Sequence, residues 1–305
     1  MKDIRKILVT GTQRSGTTWV GRVLSSDGNI GYIHEPFNRI NKKIHNSPII
    51  YPYQYIDKRI DVESEHAYSK YLEYFIRQDI SFYRNSILGL KHIDSRFVNP
   101  MKHYFDNKKS QKLKIIKDPF ALLSCEWLQL QQDFQIVIVI RHPAAFALSM
   151  KEKGWIVTPS TFKTQENDLA HFYNSDQSII QSYLDLDNKK KNYIDSAIYG
   201  WNLLYSAIIY YKQNYPDWIM VRHEDLSNSP INEFRKLFGQ LSLDFDKVAL
   251  KQIKDSSQGS GVKGAYRDSK LNAQKWKQIL SKEEILRIKS DTELYWKHFY
   301  SESDW

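Results

Sequence analysis

Short apolar runs alternate along this chain with stretches of helical spacing. Residues 7–10 (ILVT) predict a strand, a glycine loop follows, and a helix is expected from Thr17 to about Ser25. A second short strand is predicted over 31–33 and a third over 113–117. The run QIVIVI at 135–140 is the clearest strand, because an unbroken β-branched sequence suits a parallel strand covered on both faces. A further strand is expected at 218–222. Helices are expected over 65–77, 100–107, 144–151, 166–184, 193–213, beyond Pro230, and over 282–299. Another opens after Asp118-Pro119, since Pro at the first helical position with Asp before it is a start signal. Residues 40–62 are rich in Tyr, Asn, Lys and Pro without a steady period, and read as a long loop or insertion.

Strands alternating with helices predict an α/β fold: one domain over 1–305 with a central parallel sheet flanked by helices. In such sheets ligands gather at the carboxyl ends of the strands. Candidate chemistry therefore matters most where it follows a strand.

At 305 residues and 41% hydrophobic, the chain can bury a core without a covalent staple. Its single cysteine, Cys125, forms no internal disulfide and lies in an apolar helical stretch, 121–130. A buried, inert thiol is expected, in keeping with a reducing compartment. No apolar segment approaches the roughly 18 residues of a membrane span. No signal-peptide core follows Met1 either, so a cytoplasmic location is expected. The net charge of +9 predicts an anionic partner. The basic residues are scattered rather than gathered on one helix, apart from 189–191, which favours a small polyanion over nucleic acid.

The segment Gly11-Thr12-Gln13-Arg14-Ser15-Gly16-Thr17-Thr18 leaves the first strand and opens the first helix. Its glycines have the spacing of the GxxxxGK[ST] phosphate loop. Such a loop aims backbone N–H groups at an anion, and the helix N-terminus adds favourable partial charge. Thr17 and Thr18 can donate hydroxyl hydrogen bonds. Thr17 stands where a triphosphatase carries lysine, and the cation appears three residues earlier as Arg14. A bland alternative is a tight strand-to-helix turn.

A magnesium-dependent enzyme also wants an acid closing an apolar strand. QIVIVI ends in Arg141, although Asp118 could serve after 113–117. A metal-free site, its anion balanced by Arg, Lys and backbone donors, is the more economical reading. Arg141, with Ser149 eight residues later, can grip a second phosphate. Taken alone, that arginine could equally cap a helix or pair with an acid.

Together the two elements resemble the family of sulfotransferases that use 3'-phosphoadenosine-5'-phosphosulfate (PAPS). Thr10 to Trp19 is similar to that family's TxxRSGTTW loop for the 5'-phosphosulfate. Arg141 and Ser149 are similar to its 3'-phosphate element. Lys117-Asp118-Pro119-Phe120, the helix of Trp201, His223-Glu224-Asp225-Leu226 and the basic stretch 267–276 extend the likeness along nearly the whole chain. The resemblance implies PAPS as sulfuryl donor, 3',5'-adenosine bisphosphate as product, and no metal. It implies Arg14, Ser15, Gly16, Thr17, Thr18, Trp19, Arg141 and Ser149 as nucleotide-binding residues. Residues 255–275 would form a mobile cover over the nucleotide, with Arg267 reaching the 3'-phosphate, although this stretch does not reproduce the RKG-type segment of the cytosolic enzymes.

The acceptor hydroxyl needs a base, since its pKa lies far above neutrality. Glu35, in His34-Glu35-Pro36-Phe37-Asn38, follows the second strand and resembles the catalytic glutamate segment of carbohydrate sulfotransferases. His34 and His92 compete for that role, and a structural ion pair is the plain alternative. Arg14 is expected to contact the leaving phosphate, and Lys117 to approach the transferred group unless it is an ordinary surface lysine. Asp118 and Asp225 are expected to cap helices, and Glu224 is left without a role. The acceptor is expected to be a saccharide or glycolipid hydroxyl, chosen by the acceptor-side loop 39–62, where Tyr51 to Tyr55 could stack on sugar rings. Two other readings stand beside this one: a P-loop kinase using ATP and magnesium, and a non-catalytic binder of nucleotide or nucleic acid.

Overall fold

A computed structural model describes residues 4–77, 112–173, 192–257 and 269–305 of the chain. The helix expected at 100–107, His92 and Arg267 lie outside the described residues. Five strands, β1 (Arg5–Gly11), β2 (Gly31–His34), β3 (Leu113–Lys117), β4 (Phe134–Ile140) and β5 (Ile219–Arg222), form a central parallel sheet flanked by helices. Their order is β2-β3-β1-β4-β5. Ile136, Val137, Ile138 and Val139 of β4 are at most 1% exposed, the two-sided burial that their unbroken apolar run anticipates. Contacts group into two compact units, Met1–Gly11 with Thr17–Val137, and Thr12–Gly16 with Ile138–Trp305.

In the first unit, β1 and β2 both run parallel to β3, with Val9 and His34 each in register with Lys117. Helix α1 (Thr17–Leu24) buries Val20, Val23 and Leu24. Its Gly21 lies so close to the strands that a Cβ there would sit 3.0 Å from Cβ of Lys117. Helix α2 (Val62–Arg77) starts three residues earlier than its periodicity suggests, where the Asp61 side chain accepts from the Ser64 N–H at 2.9 Å. After β3, Asp118 caps a 3-10 turn (Pro119–Ser124), accepting from the Phe120 N–H at 2.9 Å, and α3 (Cys125–Gln132) follows. Cys125 is fully buried, and burial pushes its thiol pKa well up.

The stretch expected to be a loop over 40–62 is more ordered than its composition suggests. It holds a short helix (Asn41–His45), and Ile49, Tyr53 and Ile56 are buried. Tyr53 packs edge-on against Phe120 at 5.3 Å, so this ring belongs to the core and offers no face to a sugar. The Ser124 hydroxyl donates to the Gln54 carbonyl at 2.6 Å and ties the segment down.

In the second unit, α4 (Pro143–Lys153) follows β4, and α5 (Tyr193–Asn214) is apolar around most of its circumference, with Trp201, Leu204, Tyr205 and Ile208 fully buried. An α-helix with that pattern is a core helix. The single helix expected over 166–184 is instead a short α-helix (Glu166–Leu169) and a 3-10 turn (Ala170–Phe172). Tyr173 leaves helical geometry there, where Phe172 packs on Tyr211 at 5.5 Å, and 174–184 lie outside the described residues. β5 leads directly into α6 (His223–Asn228), α7 (Pro230–Gln240) and α8 (Lys247–Ser257). α8 was not anticipated, although Asp246 accepting from the Ala249 N–H at 2.8 Å is an ordinary start signal. The expected helix 282–299 breaks in two at the fully buried Thr292, whose hydroxyl donates back to the Ile288 carbonyl at 2.7 Å.

Candidate functional site

In the second unit, residues 12–16 bring a strained turn against the end of β4. Arg14 has φ +68° and Gly16 has φ +98°. Gly16 is required twice over: its φ suits glycine, and a Cβ would lie 2.4 Å from Cδ2 of His223. Arg14, a non-glycine residue in the left-handed region, is held at both ends. Its Nε donates to the Ser149 hydroxyl at 2.9 Å, and its carbonyl accepts from Nη1 of Arg141. Arg14, Arg141 and Ser149, joined in the sequence only through the family resemblance, are therefore neighbours. They line an open cleft with Glu152, Lys275 and Trp276. The hydroxyls of Thr12 and Ser15 and Nε of Arg141 are buried and meet no hydrogen-bond partner among the described residues. Buried donors of this kind want an acceptor, and an anion supplies several. The donor set thus fits a phosphorylated ligand.

Arg141 lies just beyond the last residue of β4, so its peptide groups need partners other than a strand ladder. Helix α5 provides them. The Arg141 N–H donates to the Tyr205 hydroxyl at 2.6 Å, and the Arg141 carbonyl accepts from Tyr205 at 2.8 Å and from Nε1 of Trp201 at 3.1 Å. The next N–H, of His142, donates to Oε1 of Glu224 at 3.0 Å, while Oε2 of Glu224 accepts from the Tyr300 hydroxyl at 2.9 Å. Burial raises the Glu224 carboxyl pKa, against the pull of the His142 N–H and Arg141. Burial lowers that of Arg141, against the pull of Glu224 and reinforced by the charge on Arg14. A guanidinium nevertheless stays protonated in proteins. His142 caps α4 by accepting from the Ala144 N–H and stacks on Trp276 at 4.8 Å.

In the first unit, Glu35 continues the β2–β3 pairing by one residue, its N–H donating to the Lys117 carbonyl at 2.9 Å. Its backbone then turns at φ +49°. The carboxylate meets Nζ of Lys117 through Oε1 and accepts from the Asn38 amide through Oε2 at 2.7 Å. Burial pushes the Glu35 pKa up, but the charges of Lys117 and His34 and the hydrogen bonds from Lys117 and Asn38 outweigh it and hold the group below its ordinary value. Lys117 is only 3% exposed, which corrects the surface-lysine alternative. Asp118 is fully buried and accepts from the Phe37 N–H at 2.5 Å as well as from Phe120, so it braces the segment that carries Glu35. Burial, helped by the charge on Glu35, pushes its pKa up to about 8. His34 is half exposed, with Nε2 3.7 Å from Oε1 of Glu35.

Thr17 is buried and Thr18 exposed at the start of α1, with Trp19 next in the helix. Asp225 does not cap a helix as expected. It lies inside the first turn of α6, whose capping position is Arg222, and comes within 3.7 Å of that arginine. Tyr205, Glu224, His223 and Tyr300 were given no role from sequence. The sequence signal for His223 and Glu224 was their place in the His223-Glu224-Asp225-Leu226 likeness; Tyr205 and Tyr300 carried none.

Among the described residues no helix is long and apolar enough to cross a membrane. The same residues hold no group of three or more His, Cys, Asp or Glu suited to a metal ion.

Similarity to known proteins bears on this geometry. A sulfotransferase domain family matches residues 4–299. Solved structures similar to the chain include the sulfotransferase domain from the curacin biosynthetic pathway, at 18% identity and a TM-score of 0.48, covering 96% of this chain and 98% of that one. A second is the sulfotransferase domain of the Synechococcus PCC 7002 olefin synthase, at 14% identity, TM-score 0.47 and 96% of each chain. A third is sulfotransferase STF9 from Mycobacterium avium, at 12% identity and TM-score 0.45, covering 98% of this chain and 78% of that one. No curated protein sequence matches. The family match sets aside the kinase and the non-catalytic binder, and the chain belongs to the sulfotransferase family.

Proposed function

We propose that this sulfotransferase takes its sulfuryl group from PAPS and delivers it to a hydroxyl on a saccharide or glycoconjugate. The observation that carries the reading is the meeting of Arg14, Ser149 and Arg141 beside unpartnered buried hydroxyls. When bound, PAPS supplies the sulfuryl group and a phosphate that leaves with the electron pair of the broken S–O bond.

The residues of the chain divide the work. The turn amides, Ser15, Gly16, Thr17 and Thr18 hold the 5'-phosphate end, with Trp19 in the helix behind them. Arg14 meets charge on the leaving phosphate. Arg141 and Ser149 hold the 3'-phosphate, with Arg267, outside the described residues, assigned to the same group. Of the cover expected over 255–275, the ends are helical, in Lys247–Ser257 and Ser269–Gln274. Glu35 accepts the proton of the acceptor hydroxyl, whose oxygen forms the new bond to sulfur. Lys117 keeps Glu35 ionised and places a cation near the transferred group. The saccharide class rests on the likeness of His34-Glu35-Pro36-Phe37-Asn38 to carbohydrate sulfotransferases, with 39–62 selecting the acceptor and the cytoplasm as its location.

Calorimetric titration with 3',5'-adenosine bisphosphate and with ATP, each with and without a chelator, tests the donor. Tight binding of the bisphosphate that ignores the chelator, with weak binding of ATP, is expected. Magnesium-dependent preference for ATP would defeat the reading. A mass-spectrometric screen against oligosaccharides and glycolipids tests the acceptor, and transfer to non-sugar hydroxyls alone would remove the saccharide class.

A further inference from the structure

We propose that Glu224 and Tyr300 are positioning residues for the 3'-phosphate contact, so that the C-terminal segment is part of the nucleotide site. The inference rests on the reading of Arg141 given above and adds to it. Glu224 spends one oxygen on the His142 N–H at 3.0 Å and the other on the Tyr300 hydroxyl at 2.9 Å. The carboxylate therefore fixes the peptide that follows Arg141, and its charge favours the protonated form of the buried guanidinium. Tyr300, 5% exposed, is itself anchored, with the Arg222 guanidinium 4.5 Å from its ring centre. Arg222 in turn donates to Asp304 at 2.6 Å. Trp305 packs on His142 at 4.3 Å, and its carbonyl accepts from Lys277 at 2.9 Å. Tyr300 and Trp305 thus close on His142, and Tyr300 reaches the same peptide through Glu224.

A rigid arginine is worth more than a loose one, because a bidentate or charge-assisted contact depends on orientation. Without Glu224 the guanidinium would lose a charge that favours its protonated form, and the His142 N–H its acceptor. The consequence should be specific to the 3'-phosphate.

The test compares calorimetric affinities of 3',5'-adenosine bisphosphate and adenosine 5'-phosphate for wild type, Glu224→Gln, Tyr300→Phe, Arg141→Ala and Arg141→Ala/Glu224→Gln. Glu224→Gln should weaken the bisphosphate about tenfold and Tyr300→Phe about threefold, with adenosine 5'-phosphate nearly unchanged. In the Arg141→Ala background Glu224→Gln should cost nothing further, since its effect passes through Arg141. In turnover, the donor KM should rise while kcat holds. Equal weakening of both ligands, full additivity with Arg141→Ala, or unchanged affinity in both variants would overturn the proposal. Tyr300→Phe removes one hydroxyl only and keeps the test sound if Glu224→Gln does not fold. A wild-type chain that binds the two ligands equally would instead sink the 3'-phosphate role of Arg141, and this proposal with it.

Discussion

The guanidinium of Arg141 donates to the backbone carbonyl of Arg14, and Arg14 donates in turn to Ser149. Two cations from distant parts of the sequence are thereby held side by side, each raising the cost of the other's charge. A phosphorylated ligand relieves that cost. Arg141→Ala should lower the affinity for 3',5'-adenosine bisphosphate at least tenfold, about 1.4 kcal/mol. Adenosine 5'-phosphate should change little. Arg14→Ala should weaken both ligands, and calorimetry separates the two patterns.

Glu35→Gln should bind the bisphosphate as wild type does while turnover falls by roughly 10²–10⁴, the usual contribution of a positioned base. Lys117 supplies the largest of the influences that lower the Glu35 pKa. In wild type the acid limb of the rate profile should therefore lie below the ordinary glutamate value of 4.5. Lys117→Met leaves the burial and removes the cation, so the acid limb should move to higher pH. A profile of kcat/KM against pH checks the shift, and an unmoved limb would take the base role from Glu35.

Gly16→Ala should destabilise the fold by about 2 kcal/mol or more, from an unfavourable backbone region and a direct clash. Its Cβ would meet His223 Cδ2 at 2.4 Å. In a His223→Ala background the clash vanishes and the φ penalty remains, so the loss in Tm should shrink without disappearing. Thermal melts of the four proteins measure this.

His142 is buried neutral, and burial lowers its pKa from 6.5 to about 3. The unfolded chain therefore binds more protons than the folded one between those values. The contribution of His142 to stability is complete above pH 6.5 and is lost as pH falls towards 3. His45 and His223 act in the same direction. His142→Asn keeps a capping oxygen and removes the titration, so Tm should fall less between pH 7 and pH 5 than in wild type. The variant should also be less stable at pH 7, since the stacking on Trp276 is lost.

What the sequence by itself determined here is whatever depends on neighbours in the chain. The strand at 113–117, the run ending at Ile140, the glycine turn before Thr17 and the Asp118-Pro119 start are set by local spacing, β-branching and caps. They appear where those patterns place them. The pairing of Arg14 with Ser149 was legible only as two separate motifs, a clear phosphate loop and an arginine–serine spacing weak alone, because their contact spans 135 residues. Tertiary structure alone decided which side chains satisfy the backbone beyond β4. Tyr205 reaches Arg141 across 64 residues, and Glu224 reaches His142 across 82. Nothing local distinguishes that tyrosine from the other tyrosines of its helix, or marks Glu224 as a partner of two buried donors. Nor could local pattern reveal that Lys117 is buried against Glu35, or that Tyr53 turns inward. A polar group is committed to a partner only when folding removes water from around it, and which partner it meets is a property of the packed chain.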